Sequence, residues 1–366
     1  MTVTGTRGVL GDPSALDATW LTAVLEPAGV ARGAQVVAAG PVSFVGTGQM
    51  ARNVRVPLRW DGVEDGHRRP ASLIAKLPTD DAPTRRYSFD RGSYFKEYYF
   101  YTELRPTVGI QTPEVWMAYY DDAVPDFAFI MEDLSGSAQG DQFRGLTVDE
   151  AALAVDQAVA LHAPRWGDPA LAVLLGGNTE AEAAAELARV YAASVEPALA
   201  RLAPLADEVS VELARRLTPG VEAWGVGLGT PRTLAHMDFR PDNLLFGVEA
   251  GAPPVVVVDW QTIAYQIGVT DVAYLIGGGF EPAERAVVER ALVDAYHAGL
   301  AAAGVPGYDA DTCWRDYRLA SVWGVVMSII ATVLAEQTER GDRMLATMLR
   351  RHAHHAIDLD ALELLG

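Results

Sequence analysis

Residues 234–246 read LAHMDFRPDNLLF. His236, Asp238, Arg240, Asp242 and Asn243 crowd into this stretch, among the apolar Leu234, Phe239, Leu244, Leu245 and Phe246. A half-buried segment of that kind needs a partner for each polar group, because an unsatisfied buried one costs on the order of 1–3 kcal/mol. A first companion lies downstream. Asp259 directly follows the four valines 255–258, and a β-branched run of that sort suits a strand buried on both faces. Such a strand delivers an ionised carboxylate from an apolar interior, where it needs a counter-charge. A divalent cation held by Asp259 and Asn243 supplies one, with few protein oxygens and the remaining positions left to water and phosphate, as Mg²⁺ prefers.

HMDFRPDN has the H-x-D-x-x-x-x-N form of the kinase catalytic loop, and VVVVDWQ (255–261) stands where protein kinases carry their metal-binding D-F-G. On these residues the chain resembles the aminoglycoside phosphotransferase and choline kinase superfamily. FAFIMEDL (127–134), ALHAPRW (160–166) and DVAYLI (271–276) further resemble the CHK kinase-like branch, which includes the ecdysteroid kinases. The resemblance implies an α+β, bilobal protein-kinase-like fold with a strand-rich N-terminal lobe and a mainly helical C-terminal lobe. It implies that Asp238 accepts or orients the proton of the substrate hydroxyl, that Asn243 and Asp259 hold Mg²⁺, and that His236 anchors the loop.

A kinase also needs a strand lysine for the triphosphate, an acid that positions it and a flexible loop over the phosphates. Lys76 in SLIAKLP (72–78) is the only lysine among the first 95 residues. It is either that lysine or an edge-strand residue whose ammonium reaches water. The helix-like SYFKEYYFYTELRP (93–106) offers Glu97 and Glu103 as partners, and the resemblance favours Glu97. Gly46, Thr47 and Gly48 precede Lys76 by about thirty residues, where the family has its nucleotide-covering loop. In isolation G-T-G is an ordinary hairpin turn. FIMEDLSG (129–136) resembles the hinge that meets the adenine edge, with Glu132 to Leu134 making main-chain contacts and Met131 either packing on the base or serving as core. Arg240 reaches the γ-phosphate or pairs with Asp242, and Asp271 is a helix cap or loop clamp.

With 29 Lys and Arg against 48 Asp and Glu, the net charge is −19. No basic cluster relieves it, so nucleic acid is not an expected partner. Cys313 stands alone, which excludes an intrachain disulfide or a cysteine metal site and suits a reducing, cytoplasmic setting. The start MTVTGTRGVL does not read as a signal peptide. LASVWGVVMSIIATVLA (319–335) lacks charge and approaches the roughly 20 residues of a span. Its Ser, Thr and Gly content predicts a buried helix instead, with no membrane partner.

The expected organisation is a nucleotide-binding lobe over 1–131, with about five strands and one inserted helix, a hinge at 132–136 and a helical lobe over 137–366. Thr147 with Glu150, and Thr179 with Glu182, have capping-box spacing. Further helices are expected near 207–217, 281–303, 311–337 and 341–364. His352, His354 and His355 read as a solvated helix face. Trp314, Tyr317, Trp323, Met327, Met344 and Met348 either line an apolar acceptor pocket or are core.

These readings converge on an ATP- and Mg²⁺-dependent phosphotransferase acting on a small-molecule hydroxyl, such as a hydrophobic alcohol or an antibiotic. After Asp259 no activation segment ending in A-P-E follows, which argues against a protein substrate. Two alternatives use the same residues: a catalytically silent nucleotide-binding protein with a regulatory role, and a metal hydrolase built on His236 and Asp238.

Overall fold

The alternation in SLIAKLP builds the first of two compact units in the computed structural model, which describes residues 13, 16–46, 50–62, 67, 69–175 and 179–365. This unit comprises residues 1–106, 112–136 and 259–261. It contains α1 (Ala18–Leu25), β1 (Gln35–Ala39), β2 (Ser43–Val45), β3 (Ala51–Asp61), β4 (Ser72–Pro78), α2 (Ala82–Asp90), α3 (Ser93–Tyr99), β5 (Val115–Asp121) and β6 (Asp126–Glu132). The strands form one antiparallel sheet in the order β1-β3-β4-β6-β5, with β2 also paired to β3. Successive side chains of a strand point to opposite faces. Leu73, Ala75 and Leu77 of β4 therefore join Leu21, Val24 and Leu25 of α1 in one apolar layer. Ile74 faces the other way, against Tyr94 of α3, Phe127 and Phe129, and Lys76 shares its side of the strand. The sheet has one strand more than expected, and α2 was not foreseen.

The second unit comprises residues 107–111, 137–258 and 262–366. Its elements are β7 (Ser137–Gln139), α4 (Val148–His162), α5 (Pro169–Leu175), α6 (Glu180–Leu202), α7 (Glu208–Leu217), α8 (Val221–Gly227), β8 (Thr233–Ala235), β9 (Leu244–Gly247), β10 (Val255–Val257), β11 (Ala264–Gln266), α9 (Val269–Gly279), α10 (Pro282–Ala302), α11 (Ala310–Ala320), α12 (Val322–Leu334) and α13 (Glu339–Asp358). Both capping boxes form: Thr147 and Glu150 open α4, and Thr179 and Glu182 open α6. The helix expected over 311–337 divides at Ser321 into α11 and α12. The apolar run 319–335 is mostly α12, and two thirds of its most hydrophobic window is buried.

α9 is the axis of this unit. All of its residues are buried, and α4, α10, α11, α12 and α13 pack around it. Small residues let α13 come close. A Cβ at position 277 would lie 2.4 Å from His355 Nδ1, and one at 324 only 2.0 Å from His352 Nδ1. The solvated reading of the C-terminal histidines is thus corrected for two of them. His352 and His355 are fully buried, whereas His354 is half-buried and reaches Asp207 at 3.0 Å. Composition gave no warning, because glycines on other helices create the slot.

Burial, reinforced by Arg351 and Arg285, lowers the His352 pKa to about 3. Burial, with Arg285 and His352, pushes that of His355 well below its ordinary value. Both native values lie below the unfolded one of about 6.5. As the pH falls from about 6.5, the unfolded chain takes up protons that the native chain refuses, so stability is lost. The slope is about 1.4 kcal/mol per pH unit per histidine. Urea midpoints at pH 7.5 and 5.5 should show this loss. His352→Asn, weaker at pH 7.5, should lose visibly less between the two; an equal loss would contradict this reading.

Candidate active site

In the first unit the interior of the sheet meets α3 through charge. β4 lies between β3 and β6, so Lys76 is not an edge residue. Its Nζ is 2.7 Å from Glu97 Oε1 and 3.1 Å from Asp259 Oδ1. The Lys76 and Glu97 side chains are 7% and 1% exposed, that of Asp259 42%. Glu97 follows Tyr94 by three residues, one helical turn on the same face. Burial favours the neutral amine, but the carboxylates of Asp259 and Glu97 outweigh it and raise the Lys76 pKa.

A π-helical turn, Phe100–Leu104, continues α3 and stacks Phe100 on Trp260, with ring centroids 3.6 Å apart and planes 5° from parallel. Asp259 itself has φ of +69°, a left-handed conformation that aspartate tolerates better than most residues. The residue after the valine run is thereby turned toward Lys76 and fixed by the aromatic stack behind it.

The 129–136 stretch is tied to the same sheet. Asp133 accepts from Arg55 Nε at 2.7 Å, Arg55 NH2 at 3.0 Å and Ser72 Oγ at 2.5 Å. The Glu132 N–H donates to the Glu114 carbonyl at 2.9 Å. The Glu132 amide is thus already used, so a main-chain donor from this stretch would come from Asp133 or Leu134. Met131 is 7% exposed and packs in the aromatic cluster. Gly46 has φ of +77°, as a tight turn requires of glycine. Thr47 and Gly48 lie outside the described residues.

In the second unit the loop between β8 and β9 is held from below by α9. Asp271, fully buried, accepts from the backbone N–H of His236 at 2.6 Å and of Met237 at 2.8 Å, and from His162 Nε2 at 3.1 Å. Met237 has φ of +69°, so the two amides converge on one carboxylate. This makes Asp271 a loop clamp. His236 accepts from the Asp238 N–H through Nδ1 at 3.2 Å and donates from Nε2 to the Val258 carbonyl at 3.1 Å. With both ring nitrogens engaged it is an anchor and not a metal ligand, and the hydrolase alternative loses its histidine.

The Asp238 carboxylate gathers donors. Asn243 Nδ2 reaches Oδ2 at 2.8 Å and Arg240 Nε reaches Oδ1 at 3.1 Å; burial and then the charge of Asp238 raise the pKa of the nearby Tyr274 hydroxyl. Arg240 also pairs with Asp242 at 2.7 Å. The expected ion pair with Asp242 is present. Asp242 Oδ1 also accepts from the Gln142 N–H at 2.8 Å, a partner the sequence did not suggest.

Each unit holds an oxygen donor of the kind a hard cation takes. The Asn243 amide nitrogen is committed to Asp238, so its oxygen is the atom that remains to offer, and the Asp259 carboxylate is open to solvent on one side. Among the described residues no group of three His, Cys, Asp or Glu side chains is arranged for a metal.

The family model for the phosphotransferase enzyme family matches residues 63–310. The chain belongs to the phosphotransferase enzyme family. It is by that membership a small-molecule kinase. No curated protein matches it by sequence. The fold is shared with wild-type aminoglycoside 2'-phosphotransferase-IIIa in its GDP complex, at TM-score 0.53 and 16% identity over 87% of this chain and 94% of that one. It is shared too with choline kinase from Cryptosporidium parvum Iowa II, at TM-score 0.52 and 10% identity over 88% and 91%.

Of the residues read from the sequence, this phosphotransferase brings Lys76, Glu97 and Asp259 together in one unit and Asp238, Arg240 and Asn243 in the other. No role was read for Trp260, Gln261 or Tyr274, nor the Gln142 partner of Asp242. For Tyr274 a signal existed, since it lies three residues after Asp271 on the same helical face. Removing one partner of a buried pair strands the other's charge. Lys76→Met should therefore cost about 3–5 kcal/mol in urea unfolding, and Lys76→Met with Glu97→Leu should recover most of it. A single-variant loss below about 1 kcal/mol would show that the pair is not a buried charge couple.

Proposed function

We propose that this protein transfers the γ-phosphoryl group of ATP to a hydroxyl of a small molecule, in the presence of Mg²⁺. The observation that carries the reading is the buried Lys76 ammonium shared by Glu97 and the half-exposed Asp259. A cation so placed in a chain of net charge −19 suits the α and β phosphates, with Glu97 keeping Lys76 in position. Main-chain groups of Asp133 and Leu134 would meet the base, and Gly46, Thr47 and Gly48 would cover the phosphates.

Asn243 and Asp259 are the residues that would hold Mg²⁺, whose charge offsets that of the phosphate oxygens. Asp238 takes the proton of the acceptor hydroxyl while the hydroxyl oxygen bonds to the γ-phosphorus. The bond to the β,γ-bridging oxygen breaks, and ADP leaves with that electron pair. The transition state is loose, so positioning and charge neutralisation supply most of the rate.

The acceptor is best read as a hydroxylated molecule with an apolar body, a hydrophobic alcohol or an antibiotic. Trp323 is half-buried on α12, and its indole N–H donates to the Met237 carbonyl at 3.2 Å, one residue from Asp238. Met327, half-buried as well, lies one turn further along the same face. Tyr317 and Met348, by contrast, are core.

Incubation of the chain with ATP, Mg²⁺ and an unbiased metabolite extract should give at least one hydroxylated compound a mass gain of one phosphoryl group. Asp238→Asn should abolish the gain while nucleotide still binds. Nucleotide binding with no phosphorylated product from any acceptor would leave a silent nucleotide-binding protein instead.

A further inference from the structure

The last long helix, α13, lies beyond the residues 63–310 that the family model matches. Two adjacent side chains of this helix nevertheless lead to Asp238. The first route starts at Arg351, which is 3% exposed. Its NH1 donates to the carbonyls of Gln142 at 2.8 Å and Gly278 at 2.9 Å, its NH2 to that of Phe143 at 2.9 Å, and its Nε to Glu281 at 3.0 Å. Gln142 is thereby pinned, and its side-chain Nε2 adds a bond to the Gly278 carbonyl at 2.8 Å. The Gln142 N–H then donates to Asp242, Asp242 accepts from Arg240, and Arg240 donates to Asp238.

The second route starts at His352. Its ring lies on that of Tyr274, with centroids 5.0 Å apart and planes 11° from parallel, and Tyr274 lies near enough to Asp238 that this carboxylate, after burial, raises the pKa of its hydroxyl. The slot for this ring exists because Gly277, Gly278 and Gly324 carry no Cβ. A helix that had only to pack would meet α9 with apolar side chains, which avoid the desolvation cost of a buried guanidinium. Among the apolar side chains that α13 buries stand a charged group and an imidazole, each in contact with a residue that leads toward Asp238.

We propose that α13 is a working part of the active site. Arg351 and His352 are positioning residues that set the orientation of the Asp238 carboxylate, one through Gln142, Asp242 and Arg240, the other through Tyr274. The proposal rests on the reading of Asp238 as the residue that takes the hydroxyl proton.

Steady-state kinetics of the full chain test it, with Mg²⁺ and ATP and either an identified acceptor or water. Asp242→Asn, Arg351→Lys and Tyr274→Phe should each lower kcat on the order of tenfold, the size of effect that misplacing a reacting group produces, with KM for ATP unchanged. Asp242→Asn combined with Arg351→Lys should cost no more than the larger single change, because both interrupt one route. Asp242→Asn combined with Tyr274→Phe should multiply, because they interrupt two.

Hydrogen exchange of residues 236–243 in the intact protein is the second measurement. It should quicken in Asp242→Asn and Arg351→Lys while α4 exchanges as in the wild type. Variants that lower the thermal midpoint but leave both kcat and loop exchange at wild-type values would overturn the proposal. Asp238→Asn separates the two levels. If it retains turnover, the base assignment fails; if it abolishes turnover while Asp242→Asn and Arg351→Lys do not slow it, the role of α13 fails alone.

Discussion

The buried carboxylate of Asp271 is the constraint on which the second unit depends. It sits on a helix with no solvent-facing side, and it accepts two consecutive backbone N–H groups from the loop that carries Asp238. Two adjacent amides can converge on one carboxylate only if the chain turns sharply between them, and Met237 supplies that turn in the left-handed region. An ionised acceptor in so dry a place forms strong hydrogen bonds, and the loss of a partner there is costly. His162 completes the arrangement by donating to Asp271 on one side and meeting the Tyr296 hydroxyl at 2.9 Å on the other. The loop is thus held by its main chain, which leaves its side chains available for chemistry.

The first unit solves a different problem, the burial of a lysine in the middle of a sheet. Strand alternation sends Lys76 toward α3 and away from the aliphatic layer under α1. Glu97 meets the ammonium one turn along from Tyr94, and Asp259 supplies a second carboxylate that remains half in water. The ammonium is thereby strongly held and almost wholly buried, while one of its two carboxylate partners meets water. The Phe100–Trp260 stack secures Asp259 by contact between rings rather than by charge.

Much of this was legible in the chain. The catalytic-loop pattern, the valine strand that ends in Asp259, the capping boxes and the period-2 pattern of β4 all depend on residues a few positions apart, and such local rules can be read from any single sequence. The bond from Gln142 to Asp242 was not legible, because Gln142 is 100 residues distant and donates through its backbone, which every residue possesses. The histidines of α13 were misread for a related reason. Their burial depends on glycines at 277, 278 and 324, on two other helices.

The sequence by itself determined the family, the mixed α+β class and a set of candidate residues for phosphoryl transfer. These follow from residue identity and short spacing. The tertiary structure alone decided that Arg240 is shared between two aspartates, that Tyr274 and Gln142 belong to the surroundings of Asp238, and that α13 reaches them. Arg351 and Gln142 stand 209 positions apart. No periodicity spans that separation; only the packing of α13 against α9 brings a guanidinium to that carbonyl.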